Sequence, residues 1–316
     1  MSAMTHDSCI HAMRNVVRSI EKVIIGKQEA VEFILCALLC EGHVLIEDVP
    51  GVGKTSLVHA LARSVGCTFR RIQFTPDILP SDITGFSVFS QKTGEFEYKK
   101  GAAFTNVLLA DEINRASPKT QSSLLEAMEE RQVTVDGQTY ALPRPFIVLA
   151  TQNPIEHLGT YPLPEAQLDR FFMKISIGYP ALRDEVKILE RFKAGTPLEN
   201  LSPVISDLDV MELRERAETV YVNPIITDYI VKIVTDTRQN PLVTLGASPR
   251  ASLCLYRAAR AWAFYSGRDF ATPDDVKKMA VPVLSHRILL KHEAKVKKIL
   301  PENIIEQALD NVPAPL

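Results

Sequence analysis

The stretch EDVPGVGKTSLVHALA, Glu47–Ala62, decides how the chain is read. It joins a short apolar run, HVLIED (His43–Asp48), to a segment of helical pattern that begins at about Lys54. The run ends at Pro50-Gly51 and reads as a buried strand. Between strand and helix, Gly51 and Gly53 let the backbone curl closely. The free N–H groups and positive dipole end of the following helix point at the same spot. Such a turn suits a phosphate chain. Lys54 is positioned to reach the β- and γ-phosphates of a nucleotide, and the Thr55 hydroxyl to ligate Mg²⁺. Pro50, Gly51, Val52, Gly53, Lys54, Thr55 and Ser56 are therefore the expected nucleotide-binding residues. One position departs from the strict G-x-x-x-x-G-K-[ST] pattern: Asp48 stands where the first glycine belongs.

Two later strand tips supply what a phosphate loop lacks. VLLADE (Val107–Glu112) is a buried run that delivers two carboxylates at its end. Asp111 is expected to hold Mg²⁺ through water, and Glu112 to orient and polarise an attacking water. The run FIVLAT (Phe146–Thr151) ends in Gln152-Asn153-Pro154, where the Asn153 amide can bond both a phosphate oxygen and the water. A solvated acidic turn and an Asn-Pro turn are the bland alternatives. Their succession behind the loop favours the site.

Strand candidates TFRRIQF (Thr68–Phe74) and FFMKISI (Phe171–Ile177) complete an alternation of strands with helices. The first strong helix is Gln28–Leu39. This is the pattern of an α/β fold with a mostly parallel sheet covered on both faces. Two inserts interrupt it. Thr75–Gly101 is long and contains proline and glycine. Arg131–Leu142 alternates around Asp136-Gly137, a strong hairpin signal. After Tyr179-Pro180 only helices are expected, with a linker at Gly195–Ile205. Ser248-Pro249 and Thr272-Pro273 are expected helix starts.

Composition excludes several classes. The chain has 316 residues, 46% hydrophobic and 23% charged, with a formal net charge of −2. That is ordinary globular composition and gives no electrostatic case for a general nucleic-acid binder. The longest apolar run, Phe33–Cys40, is too short to span a bilayer, and the first residues show no signal-like apolar segment. Cys9, Cys36, Cys40, Cys67 and Cys254 form no C-x-x-C pair. They read as small core residues in a reducing compartment, the cytoplasm. Lys291–Lys298 reads as a solvated helix face.

PGVGKT, LLADEINRASPKTQSSLLEAMEER, VLATQNPIEHLGTYPLPEAQLDRF and GASPRAS, in this order, resemble the MoxR family of AAA+ ATPases. The likeness runs from about Ile20 to the C-terminus. In that family EDVPGVGKT is a familiar form of the loop. The resemblance implies a P-loop αβα sandwich with parallel sheet order 5-1-4-3-2, over residues 1–195, and an all-α lid over 196–316. The 75–101 insert resembles the helix-2 insert of the clade, and 131–142 its pre-sensor-1 hairpin. Val23, Ile24, Ile25 and Gly26 resemble the segment that packs on adenine, with ATP and Mg²⁺ as the implied cofactors. Asn153 resembles sensor 1, Arg170 the arginine finger, and Arg250 sensor 2, acting on either its own or a neighbouring nucleotide. Arg115 is a second candidate for action across a subunit seam. A guanidinium supplied by a neighbour accelerates phosphoryl transfer by about 10³–10⁵.

The resemblance further implies an ATP hydrolase working as a homo-oligomeric ring, six copies being the family expectation. Chaperone-like remodelling, maturation or metal insertion in protein complexes is the implied task, with a separate partner carrying a von Willebrand factor A domain. A nucleic-acid motor is the alternative, since helicases and loaders share such inserts. It requires a basic hairpin tip, and Asp136-Gly137-Gln138 is acidic to neutral. A nucleotide-gated scaffold without turnover is a third reading, against which Lys54, Asp111, Glu112 and Arg170 all stand.

Overall fold

A computed structural model gives the protein's structure and describes residues 4–153, 160–192 and 198–315. Five strands form one sheet: β1 (Val44–Glu47), β2 (Phe69–Gln73), β3 (Val107–Asp111), β4 (Ile147–Gln152) and β5 (Met173–Ile175). All pairings are parallel, and the order is β2-β3-β4-β1-β5, or 5-1-4-3-2 from the other edge. Every residue of β3 is buried, because alternate side chains feed two different cores. Val107 and Leu109 join Val44, Ile46, Ile147 and Leu149 on one face. Leu108 and Ala110 join Leu45, Val148 and Ala150 on the other. A strand buried on both faces must read as an unbroken apolar run, as these do.

The longer helices are α1 (His6–Glu21), α2 (Gln28–Leu39), α3 (Lys54–Ser64), α4 (Pro118–Glu130), α5 (Leu182–Phe192), α6 (Asp207–Glu218), α7 (Pro224–Gln239), α8 (Pro249–Tyr265), α9 (Pro273–Leu284) and α10 (Pro301–Asn311). Helix α1 precedes the first helix expected from sequence. Its stripe of Cys9, Met13, Val16, Val17 and Ile20 is buried, and Thr5 caps its start. The two proline-led starts are as expected. Ser248 accepts the Ala251 N–H, and Thr272 forms a reciprocal box with Asp275. The lid helices α6–α10 share the core of α1–α3 and one sheet face, so the hydrophobic interior is continuous across the two parts. The expected boundary between residues 195 and 196, and the start of the linker, lie outside the described residues.

Strand is not confined to the first part, as the sequence reading had it. Val243–Leu245 pairs antiparallel with Leu289–Leu290 between the lid helices. Segments of two and three residues are too short to show alternation, so sequence pattern cannot reveal them. The 75–101 insert is ordered: a short helix, Pro80–Thr84, and a hairpin, Gly85–Ser90 against Glu95–Lys100. The second hairpin pairs Gln132–Val135 with Gln138–Ala141 across a two-residue turn. Asp136 and Gly137 there have φ of 51° and 77°, as a twisted hairpin turn requires. Tyr98 of the first hairpin stacks on Tyr140 of the second, ring centroids 4.1 Å apart.

Behind the sheet, Glu41 is buried and ion-paired with both Arg131, which ends α4, and Arg214 of α6. One carboxylate thus joins the loop before β1, the second hairpin and the lid. Lys291 to Lys298 surround a short helix, His292–Val296, and are exposed except for the buried Ala294. No helix among the described residues is long and apolar enough to cross a membrane.

Candidate functional site

Because β1, β4 and β3 are parallel neighbours, their C-terminal tips line up. Glu47 pairs with Gln152, and Asp111 with Gln73 of β2. The tips open on a cleft of about 370 Å³ walled by Pro50, Gly51, Gly53, Lys54, Thr55, Ser56, Asp111, Glu112 and Asn153, with Arg71 and Gln73 from β2. Gly51 and Gly53 have φ of +86° and +88°, left-handed backbone that favours glycine. Helix α3 starts at once with Lys54, so its unpaired N–H groups face the cleft.

Asp48 now has a physical account. It is not among the positive-φ residues, so the backbone there tolerates a side chain. Its carboxylate is nearly buried, at 6% exposure, and accepts from the Ile177 N–H, the Gly178 N–H at 3.1 Å and the Ser176 hydroxyl at 3.1 Å. Its carbonyl accepts from Lys54 Nζ at 2.7 Å. One residue ties the loop to the chain leaving β5 and holds the lysine over the cleft.

Asp111 Oδ1 accepts from the Thr151 hydroxyl at 2.6 Å, and Oδ2 pairs with Arg71 at 2.6 Å. Glu112 sits in left-handed backbone, φ 57° and ψ 49°, and its N–H donates to Thr151 Oγ1 at 2.8 Å. Thr151 therefore latches the β3 tip to β4. An L-residue held in that conformation is strained. Arg115, the other arginine expected to act across a seam, bonds Glu112 Oε2 at 2.9 Å within its own chain. The Thr55 hydroxyl and Asp111 carboxylate are hard oxygen donors in one cleft, and among the described residues no self-contained cluster of His, Cys, Asp and Glu competes with them. That donor set fits Mg²⁺, which binds through one or two side chains together with phosphate oxygens.

Ile24, Ile25, Gly26 and Val52 are not among the residues that wall the cleft. Ile24 Cδ1 lies 3.9 Å from where a Cβ on Gly53 would stand. Gly26, at φ +70°, is covered by Asp184 of α5.

Arg170 and Arg250 are elsewhere. Arg170 lies just before β5, at the N-terminal edge of the sheet, and shares a pocket with Glu41, His43 and Arg250. A strand of four residues separates that edge from the cleft, roughly 13 Å at about 3.3 Å per residue. The two arginines meet at Glu129 near the end of α4, with Nε of Arg170 at 3.3 Å and Nη1 of Arg250 at 3.2 Å. The fold thus brings Lys54, Thr55, Asp111, Glu112 and Asn153 together and keeps both arginines apart from them. Sequence reasoning missed Arg71, Gln73 and Glu129. The first two face the cleft only because β2 neighbours β3, which no local pattern reports.

Comparison with known proteins agrees with this architecture. Residues 43–173 match the model of the ATPase family associated with various cellular activities (AAA), and 235–308 match the AAA lid domain. The chain is 50% identical to protein YeaC of Bacillus subtilis (strain 168), over 99% of this chain and 98% of that one. It is 44% identical to Chaperone MoxR1 of Mycobacterium tuberculosis, over 97% and 83%. A crystal structure from Cytophaga hutchinsonii superposes with a TM-score of 0.92 at 40% identity, covering 98% of this chain and 97% of that one. A P-loop between β1 and α3, an AAA sheet order, a lid on the same core and near full-length likeness to MoxR1 make the chain a member of the MoxR family of AAA+ ATPases.

Proposed function

We propose that this protein is an Mg²⁺-dependent ATP hydrolase that acts as a ring of copies, probing and remodelling a partner protein complex in a chaperone-like manner. The observation that carries the reading is the separation of the two half-sites. Lys54, Thr55, Asp111, Glu112 and Asn153 share one cleft, while Arg170 and Arg250 converge at the far edge of the sheet. A second copy is what brings such halves together. Residues 1–195 form the nucleotide domain on this reading, and 196–316 the lid.

In that seam, Gly51, Gly53 and the α3 N-terminus cradle the phosphates, and Lys54 bonds their terminal oxygens. Ile24, Ile25 and Gly26 support the base. Thr55 and Asp111 would hold Mg²⁺, which would supply charge neutralisation of the phosphate oxygens. Glu112 orients the attacking water and accepts its proton, and Asn153 fixes the water by a neutral hydrogen bond. Arg170 and Arg250 of the adjacent copy meet the charge that develops on the transferred phosphoryl group. Because Arg250 sits beside Arg170, we infer that it serves the neighbour's nucleotide and not its own. The chaperone task rests on the likeness to MoxR1. Six copies, a von Willebrand factor A domain partner and a metal-insertion role follow the family expectation, and five free cysteines fit the cytoplasm.

The test combines binding, turnover and capture. Lys54→Ala should lose ATP binding by calorimetry. Glu112→Gln should bind ATP, assemble and stall, and in that state retain its partner in a pull-down. Normal hydrolysis by a strictly monomeric protein at all concentrations would overturn the reading.

A further inference from the structure

We propose that Glu129 is a positioning residue for ATP hydrolysis, holding Arg170 and Arg250 as one cationic pair presented to the nucleotide of an adjacent copy. The inference rests on the reading that both arginines act across the seam. Each guanidinium has its own carboxylate oxygen: Oε2 for Arg170 at 3.3 Å, Oε1 for Arg250 at 3.2 Å. Like charges repel, and a carboxylate between them offsets that repulsion while leaving further N–H groups on both arginines to point outward.

The local chemistry makes this placement costly unless it is used. Glu129 lies in the last turn of α4, the negative end of a helix dipole, where no basic residue of the same turn compensates it. Arg250 lies in the first turn of α8, the positive end, where a cation is equally misplaced. Each is unfavourable on its own helix, and the fold sets them against each other. Their chain neighbours are tied as well. The Ser248 hydroxyl, which caps α8, donates to Asp169 Oδ2 at 3.1 Å, and Asp169 precedes Arg170. Arg287 grips the same Asp169 at 3.1 Å. The segments that carry the two arginines are thus joined by the Ser248–Asp169 side-chain bond, and the arginines themselves by Glu129. The three side chains are 34–42% exposed, so the bridge adds little to folding and yields readily to a phosphate.

The test uses the full chain, as single variants and as mixtures. Glu129→Gln should lower kcat about tenfold or more, since misplacement by about 1 Å can cost about a hundredfold, while KM for ATP moves by less than about twofold. Its melting temperature and assembly should match wild type. Mixed in equal amounts with Lys54→Ala, it should regain activity, because roughly one seam in four then joins an intact Lys54 to an intact Glu129. Arg170→Ala mixed with Lys54→Ala is the control for the underlying reading. If that control recovers but Glu129→Gln alone turns over like wild type, Glu129 has no positioning role. A loss in Glu129→Gln that follows a lowered melting temperature, and is not rescued by mixing, also overturns the proposal. If the control itself stays inactive, the cross-seam reading fails and takes the proposal with it.

Discussion

Replacing Asp48 by glycine would restore the strict phosphate-loop pattern, and the structure says that it weakens the protein. The substitution leaves the carbonyl that accepts from Lys54 in place, so it isolates the carboxylate. That carboxylate satisfies the N–H groups of Ile177 and Gly178 and the Ser176 hydroxyl in a nearly buried position. A buried donor left unpaired costs about 1–3 kcal/mol. Ile177 is buried and Gly178 half-buried, so water compensates only part. Glycine adds about 0.5–1 kcal/mol of backbone entropy. The expected loss is about 3 kcal/mol. With an unfolding entropy of about 2.1 cal/mol/K per residue, a chain of 316 residues melting as one unit loses about 5 °C. Asp48→Asn, which keeps one acceptor oxygen, should fall between. The assay is thermal and urea unfolding followed by circular dichroism, with KM for ATP measured in parallel and expected to rise as the loop loses its tether. A melting temperature for Asp48→Gly equal to or above wild type would refute the account of why the first glycine is absent.

Two further outcomes follow from backbone and burial. Gly26→Ala puts a Cβ 2.2 Å from Asp184 Oδ2 at φ +70°. It should cost about 1–3 kcal/mol, of which Asp184→Ala restores only the steric share in thermal melts. His43 is fully enclosed, bonding the Met128 carbonyl and the Val148 N–H, and burial lowers its pKa from 6.5 to about 4. The unfolded imidazole takes up its proton first as pH falls, so stability is full above about 6.5 and is lost on the way down toward about 4. Between pH 7 and 5 the loss from this group is about 2 kcal/mol. Burial also holds His286 well below its usual value and adds slope of the same sign. The check is therefore the urea-midpoint difference between the two pH values, which should shrink in His43→Gln.

Much of this architecture is legible in one chain because its signals are local. A strand buried on both faces is an apolar run, and the five runs became the five strands to within two residues at each end. The loop, the hairpin turn at Asp136-Gly137 and the capped starts at Ser248 and Thr272 are each set by neighbours within a few positions. Helix α1 carries an equally local signal in the spacing of Cys9, Met13, Val16 and Ile20. What sequence could not yield is pairwise and distant. Glu129 meets an arginine 121 positions away, and Arg71 meets Asp111 across a strand pair. The order of strands decides the second meeting and the packing of the lid on the sheet edge the first.

The carboxylate behind the sheet has a mechanical meaning. Glu41 is bound at once by Arg131 and Arg214, and the apolar interior runs uninterrupted past it into the last helices. To hinge the lid, a copy would have to part a buried anion from Arg214, one of its two counterions, and open an apolar interior, each a several-kcal/mol expense. Each copy therefore behaves as a stiff lever, and in any assembly the compliance is forced outward, to the joints where one lever bears on the next.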